Sequence, residues 1–596
     1  MTPARGKDAT APAGPVVWDN SNIVESYPGI TLPLTYSFIR RAYRAVYWQF
    51  CSVLGLSRRE ISTHEQMLAN MLGLLNGRVY YNLVNWYRLV SLLPGFRFNK
   101  GFMEGMMGLR QPADASPRPT GFFAKYFREL PRLLRSGLRA AWLQRTLPRR
   151  IRDFHSGFDA AHARFAAMDF ESMSLERLVE AYHGMETEIL WKWRAPIIND
   201  FSAMIFYGTL KKLTVKWGVD ADGGLQNALI SRQGGVESTR VAEELWDVAE
   251  LIATDGMLKE DFVSAPPAEA LELLKRSEKA SGALERYLAV YGDRCIAELK
   301  LESSSMRDDP TFCAAVLQNY LRSSRARPRP ADRSESLSPE EARSELARRL
   351  KGRLTMLVIP RRWVYRWVLR RAAAAVRNRE NQRLARTRAF ALVRRVFRNV
   401  GRVLAADGRL DDAGDVFYLR VEEVEGCAAN RGESDFRELV ARRRSLYERY
   451  RSLPPPADHL ETSGMIGPEE VIEVRAPQRR ERTEKLKGMG ACPGVLERPA
   501  VVLLEPDTSL RLDGEILVTR QTDPGWVVLF PSISGLVVER GGMLSHSAIV
   551  AREMSIPAVV GVAGATERIR SGDVLRIDGA SGSVDILRRA GAGDNS

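Results

Sequence analysis

The spacing of apolar residues changes between positions 450 and 490, and that change divides the chain into two kinds of structure. Before it, apolar residues recur every three or four positions, as in 36–54, 64–75 and 174–193, which is a helical period. Ser338-Pro339-Glu340-Glu341 has the cap, the first-turn proline and the acids of a helix start. Between 389 and 404, Leu392, Val393, Val396, Phe397, Val400 and Leu404 form one stripe, as on a helix docked against a core. The stretches 18–29 and 325–336 read as irregular. Tyr80, Tyr81, Trp86 and Tyr87 fall in one run, which suits either helix core or the wall of a pocket. Pro454-Pro455-Pro456 ends the region, and the charged segment 476–487 reads as a tether able to span up to roughly 40 Å.

After the change the apolar runs are short and β-rich: 501–504, 516–519, 536–538, 559–562, 574–577 and 584–587. Glycines and one helix, 547–554, separate them. The expected fold is therefore multidomain, a large mainly α-helical domain over 18–455 followed by a small α/β domain over 488–589. Residues 1–17 are expected as a disordered head, 456–487 as a linker and 590–596 as a tail.

Within the α/β part, Gly541-Gly542-Met543-Leu544-Ser545-His546-Ser547 lies where a strand, 535–539, gives way to a helix. Ser545 is a natural N-cap. An imidazole at a helix start is surrounded by unpaired backbone N–H groups and the positive end of the helix dipole, which together favour an anion. Histidine is also a nucleophile at neutral pH. His546 thus reads as a candidate phosphoryl acceptor, with the hydroxyls of Ser545 and Ser547 as donors to the phosphoryl oxygens. The alternative is a capping or core histidine beside a glycine turn.

Charge is concentrated. Residues 351–400 hold 15 Lys and Arg against a single acid, Glu380, a net of +14 in a chain whose formal net charge is +15. Such an element suits phosphates, nucleic acid or an anionic membrane surface, or it is a solvated helix face. Arg361 to Arg371, with Trp363 and Trp367, reads as a basic amphipathic surface helix. No nucleic-acid-binding signature is present, so nucleic acid is not an expected partner. Five scattered cysteines with no CxxC pair argue against a disulfide framework and a zinc site, and for a reduced, cytoplasmic setting. The head has no apolar signal-peptide core, and no run of about 18 apolar residues is present.

From Gly490 onward the chain resembles the phosphohistidine (swivelling) domain shared by phosphoenolpyruvate synthase, pyruvate phosphate dikinase and rifampicin phosphotransferase. The residues that carry this are Gly490-Ala491-Cys492-Pro493-Gly494, Gly514-Glu515-Ile516-Leu517-Val518-Thr519, Thr522-Asp523-Pro524-Gly525-Trp526, the His546 run, Ile556-Pro557-Ala558-Val559-Val560-Gly561, and Gly572-Asp573-Val574 leading to Ile577-Asp578-Gly579. The Thr522 to Trp526 wording is closest to rifampicin phosphotransferase. The helical part is similar to the substrate-binding region of the same group at Trp18 to Glu25, Tyr291-Gly292-Asp293-Arg294 with Glu298, Arg379-Glu380-Asn381-Gln382-Arg383, and Asp415 to Leu419. The family's Gly-His-Arg-Gly reads here Gly292-Asp293-Arg294-Cys295, so the role of that histidine does not carry over.

The resemblance implies that His546 carries the phosphoryl group and that Thr522, Asp523, Gly541 and Gly542 support its loop. Arg379 and Arg383, four apart on one helix face, are candidates for a clamp on the transferring group or are part of a solvated basic surface. Asn22, Glu25, Arg294 and Glu298 are the candidate substrate-binding residues, with capping as the alternative for Asn22 and Glu25. No bound metal is expected. Because neither the family's ATP-grasp domain nor its pyruvate barrel is recognised, the expected function is a phosphocarrier and acceptor component of a dikinase-type phosphotransferase. A separate ATP-grasp protein would use ATP and Mg²⁺, and a small molecule would be the acceptor. The rival readings are a catalytically inactive scaffold or regulator, and a peripheral membrane binder acting through 351–400.

Overall fold

A computed structural model describes residues 14–92, 122–220, 225, 229, 237–322, 339–351, 360–430, 434–473, 486–506, 511–543 and 545–590. Its contacts form two compact units, Met1–Arg194 with Lys300–Glu302 and Val393–Arg479, and Ala195–Leu299 with Ser303–Leu392 and Arg480–Ser596. The C-terminal α/β region is thus grouped with helices from the middle of the chain rather than standing alone after one helical domain. The charged run 479–485 and the loop 325–336 lie outside the described residues.

The first unit is mainly helical, with Pro33–Leu54 and Leu175–Glu188 among its helices, but it also contains a sheet. Strands β1 (Val16–Asp19), β2 (Leu72–Leu75), β3 (Arg78–Asn82) and β4 (His459–Thr462) pair antiparallel in the order β2-β3-β1-β4. Two sequence expectations are corrected here. Val16 and Val17 belong to β1 rather than to a disordered head, because they pair with Thr462 and Glu461 of β4. The helix expected over 64–75 is only Glu65–Ala69; the rest is β2. The reason is the turn Asn76-Gly77, whose φ values of 45° and 72° form a hairpin of the primed type and commit both flanks to strands. Trp18 is fully buried, its indole N–H donating to Thr462 Oγ1 at 2.8 Å, and Gly73 leaves room for its ring. Tyr80 and Tyr81 lie on β3 and Trp86 and Tyr87 on the helix Leu83–Ser91, all four in the interior.

The second unit holds an eight-stranded sheet in the order β5-β12-β11-β7-β8-β9-β10-β6. Its strands are β5 (Leu486–Lys487), β6 (Met489–Cys492), β7 (Val495–Val502), β8 (Ile516–Thr519), β9 (Gly535–Val538), β10 (Ala558–Val560), β11 (Val574–Asp578) and β12 (Ser583–Arg588). Neighbours from β7 to β10 are parallel, and the flanking pairs are antiparallel. β8, β9 and β10 are buried along their whole length, which is why they read as continuous apolar runs rather than as alternation. Between β9 and β10 the chain crosses through the helix His546–Glu553, so His546 stands at the carboxyl end of a parallel strand, the usual ligand side of such sheets.

One apolar core joins this sheet to helices of the middle region. Val241, Leu245, Trp246, Phe262, Leu317 and Tyr320 belong to the same cluster as Trp526, Val528, Phe530, Leu536 and Val550. The 3₁₀ segment Pro524–Ser532 is buried from Gly525 to Ser532. Tyr320 donates its hydroxyl to the Val528 carbonyl, and Trp246 packs 4.5 Å from the Tyr320 ring. The long helix Arg361–Ala406 supplies Tyr365, Val368, Leu369, Ala372 and Val376 to a second cluster, with Phe206, Leu210 and Ile549.

Candidate active site

His546 is the first residue of its helix, and Ser545 is the N-cap, its hydroxyl accepting from Ala548 N–H at 3.4 Å. The Ser545 and Ser547 hydroxyls are 3.2 Å apart and both are buried. The imidazole is 1% exposed. Its Nδ1 lies 3.1 Å from Oε2 of Glu380, on the long helix Arg361–Ala406. Glu380 is also buried, and its Oε1 is 3.6 Å from Arg383 Nη1.

The charges in this cluster follow from burial and neighbours. Burial alone would raise the Glu380 carboxyl, but the Arg383 guanidinium, the hydrogen bond to His546 and the charge of Arg379 outweigh it and hold the group down at about 2. Burial pushes His546 below its ordinary value, and the Glu380 carboxylate does not offset this. The pair is therefore a carboxylate and a neutral imidazole. With Nδ1–H donating to Glu380, the lone pair is on Nε2, and among the described residues no group is hydrogen-bonded to that atom. A nucleophilic nitrogen with a fixed tautomer, backed by an anion that would stabilise positive charge developing on the ring, sits at a helix N-terminus.

Beside it stands a second polar group. Arg294 donates from Nε to Glu298 Oε1 at 2.7 Å and from Nη2 to the Pro524 carbonyl at 3.1 Å. The other oxygen of Glu298 accepts from Thr387 at 2.7 Å, on the same long helix. Asp523 caps the 3₁₀ segment by accepting from Gly525 N–H, and it also accepts from Ala297 N–H at 2.8 Å. Ala297 has φ of 56°, a left-handed conformation held at this junction. Burial, reinforced by the neighbouring Glu298 carboxylate, raises Asp523 to about 7.

The structure brings together His546, Ser545, Ser547 and, through Glu380, Arg383. It places Arg294 and Glu298 against Asp523, beside Thr522, whose buried hydroxyl has no partner among the described residues. Gly541 and Gly542 form the turn before the helix, Gly541 with φ of 110°. Arg379 and Arg383 do not share one target: Arg379 Nε is 3.8 Å from Asp200, whereas Arg383 faces Glu380. The Arg383 side chain is 15% exposed, and the Arg379 side chain 28%, beside the exposed Asp200. Asn22 and Glu25 lie on a 3₁₀ turn of the first unit, where Asn22 makes no side-chain cap, contrary to the capping alternative. Sequence reasoning missed the roles of Glu380, Thr387 and Asp200. For Glu380 the signal was present, because it is the single acid among fifteen basic residues, and with Arg383 and Thr387 it falls on one helix face. Among the described residues no group of three or more His, Cys, Asp and Glu could hold a metal ion.

Parts of the chain are similar to known proteins. Residues 196–380 match the rifampicin phosphotransferase fourth domain, and residues 511–582 match the PEP-utilising enzyme mobile domain. A rifampicin phosphotransferase of Streptomyces is 30% identical over 359 residues, covering 58% of this chain and 39% of the relative. That of Bacillus cereus is 28% identical over 362 residues, covering 60% and 40%. An uncharacterised phosphotransferase of Bacillus subtilis is 26% identical over 341 residues, covering 55% and 39%. The matched residues thus span about two fifths of the length of these relatives. Among solved structures, aconitase X of Thermococcus kodakaraensis covers 17% of this chain at 24% identity with a TM-score of 0.16, too slight an overlap to inform the fold. Over these residues the chain is similar, in order, to the rifampicin phosphotransferase fourth domain and the PEP-utilising enzyme mobile domain.

Proposed function

We propose that this chain is a phosphocarrier and acceptor component of a dikinase-type phosphotransferase. The His546–Glu380 pair supports this reading most directly. Nε2 of His546 attacks a phosphorus atom of an ATP-derived donor. The N–P bond forms as the P–O bond to the leaving phosphate or nucleotide breaks, and Glu380 stabilises the charge on the ring. Ser545, Ser547 and the first N–H groups of the helix hold the phosphoryl oxygens, and Arg383 adds positive charge nearby. In the second step an acceptor hydroxyl attacks. The O–P bond forms, the N–P bond breaks, and the hydroxyl proton passes to a base. A separate ATP-grasp protein, using ATP and Mg²⁺, charges the histidine, and a small molecule receives the group.

With the imidazole closed off in the present arrangement, charging requires the cover over Nε2 to open while Nδ1 keeps its contact with Glu380. Arg379, Arg294 and Glu298 are assigned to binding the acceptor or orienting its phosphoryl group.

The test mixes the chain with an ATP-grasp protein from the same genome, Mg²⁺ and ATP labelled at the β-phosphate. A parallel arm offers phosphoramidate, a small donor that needs no partner protein. Acid-labile, base-stable label that disappears in His546→Ala is expected. Failure of both arms to label the wild-type chain refutes the carrier role.

A further inference from the structure

The phosphotransfer reading leaves unused the start of the long helix Arg361–Ala406. On its outward face, Arg362, Trp363, Arg366, Trp367 and Arg370 are all exposed, at spacings of one, four, five and eight from the first, which is one side of a helix. Trp363 is 62% exposed and Trp367 51%. The opposite side is committed to the interior through Tyr365, Val368 and Ala372, so the helix cannot rotate to hide the indoles. Two tryptophans left in water one turn apart forgo a large burial gain, which singles the patch out.

The helix packed beside it continues the character. Arg194–Lys216 touches it through Phe206 on Trp367, at 5.4 Å between rings, and through Thr214 Oγ1, 2.7 Å from Tyr365 Oη. It exposes Lys211, Lys212, Val215 and Lys216. Neither 201–216 nor 361–379 contains a single Asp or Glu. These two stretches therefore offer six exposed cations, two indoles and an exposed valine, with no acid among them.

We propose that this face docks on the surface of an anionic lipid bilayer. Charge complementarity selects an acidic partner, and the exposed apolar groups select one with an apolar layer just beneath its charge. A bilayer meets both conditions: indoles settle at headgroup depth, while arginine and lysine lay their aliphatic stems on the apolar layer and keep their charged ends among the lipid phosphates. A polynucleotide meets only the first. Stacking of bases needs a free indole face, and one face of Trp367 is taken by the Arg371 guanidinium, 6.0 Å from the ring centroid.

The test is cosedimentation of the full chain with vesicles of phosphatidylcholine alone or mixed with phosphatidylserine, with tryptophan emission as the second readout. Expected are binding to the mixed vesicles only, loss of binding in high salt, and a blue shift of emission on binding. The pair Trp363→Ala with Trp367→Ala should weaken partitioning at least tenfold, and Arg362→Glu with Arg366→Glu by more, at roughly fivefold for each charge removed. Both pairs are at the surface, so an unchanged melting temperature certifies their fold. Equal binding to neutral and mixed vesicles, or wild-type partitioning by the charge-reversed pair, overturns the proposal. So does binding to single-stranded DNA with no binding to vesicles.

Discussion

At the scale of single residues, His546 and Glu380 define each other. Without the carboxylate, Nδ1 loses its acceptor and the imidazole is free to change tautomer. Glu380→Ala should slow phosphorylation of His546 by roughly a hundredfold, a typical weight for one group acting on a proton or charge in the transition state. Histidine ¹⁵N spectra should show the fixed tautomer of the wild type giving way to a mixture in the variant. If the spectra do not change, Glu380 is not the group that orients the ring. The two residues were unequally visible in the sequence. His546 announced itself through a glycine turn, a cap and a helix start, which are all local. Glu380 sits 166 positions away and has no local signature, so only its isolation among arginines pointed to it.

At the scale of elements, the central strands and the helix after β9 were legible because full burial on both faces writes continuous apolar runs. β2 and β3 were not, since their short apolar stretch also fits a helix and only Asn76-Gly77 distinguishes the two. The 3₁₀ segment Pro524–Ser532 was equally hidden, being apolar throughout with no strand or helix period. Its position depends on Gly525, where a Cβ would stand 2.2 Å from the carbonyl oxygen of Cys295. Gly525→Ala should therefore destabilise the protein by about 1–3 kcal/mol, read as a lower melting temperature. Asp523 adds a pH dependence at the same junction. Its carboxyl rises from 3.8 to about 7 on folding, so the folded state binds the proton more tightly. The resulting stabilisation is complete below about pH 4 and is lost as pH rises through 7. Asp523→Asn should flatten this part of the stability profile, and denaturant titrations across that range would show a parallel curve if the assignment is wrong.

At the scale of the molecule, the division into a helical part and a C-terminal α/β part was legible from the change of period, but the grouping of segments was not. Contacts between distant stretches decide it, and these leave no trace in local spacing. Residues 195–392 and 480–596 share one core, in which Trp526, Val528 and Phe530 are packed against Trp246 and Tyr320. A fragment limited to 488–589 should accordingly bind a hydrophobic dye strongly and aggregate on mild heating, whereas the full chain does neither; a monodisperse, dye-silent fragment would contradict the shared core. This core also bears on heredity. A recombination that exchanged the last hundred codons with those of a distant relative would join a foreign Pro524–Ser532 segment to a resident Trp246 and Tyr320. Only exchanges that carried the middle helices along would leave a folded product, so the two stretches form one inheritable block despite lying apart in the gene.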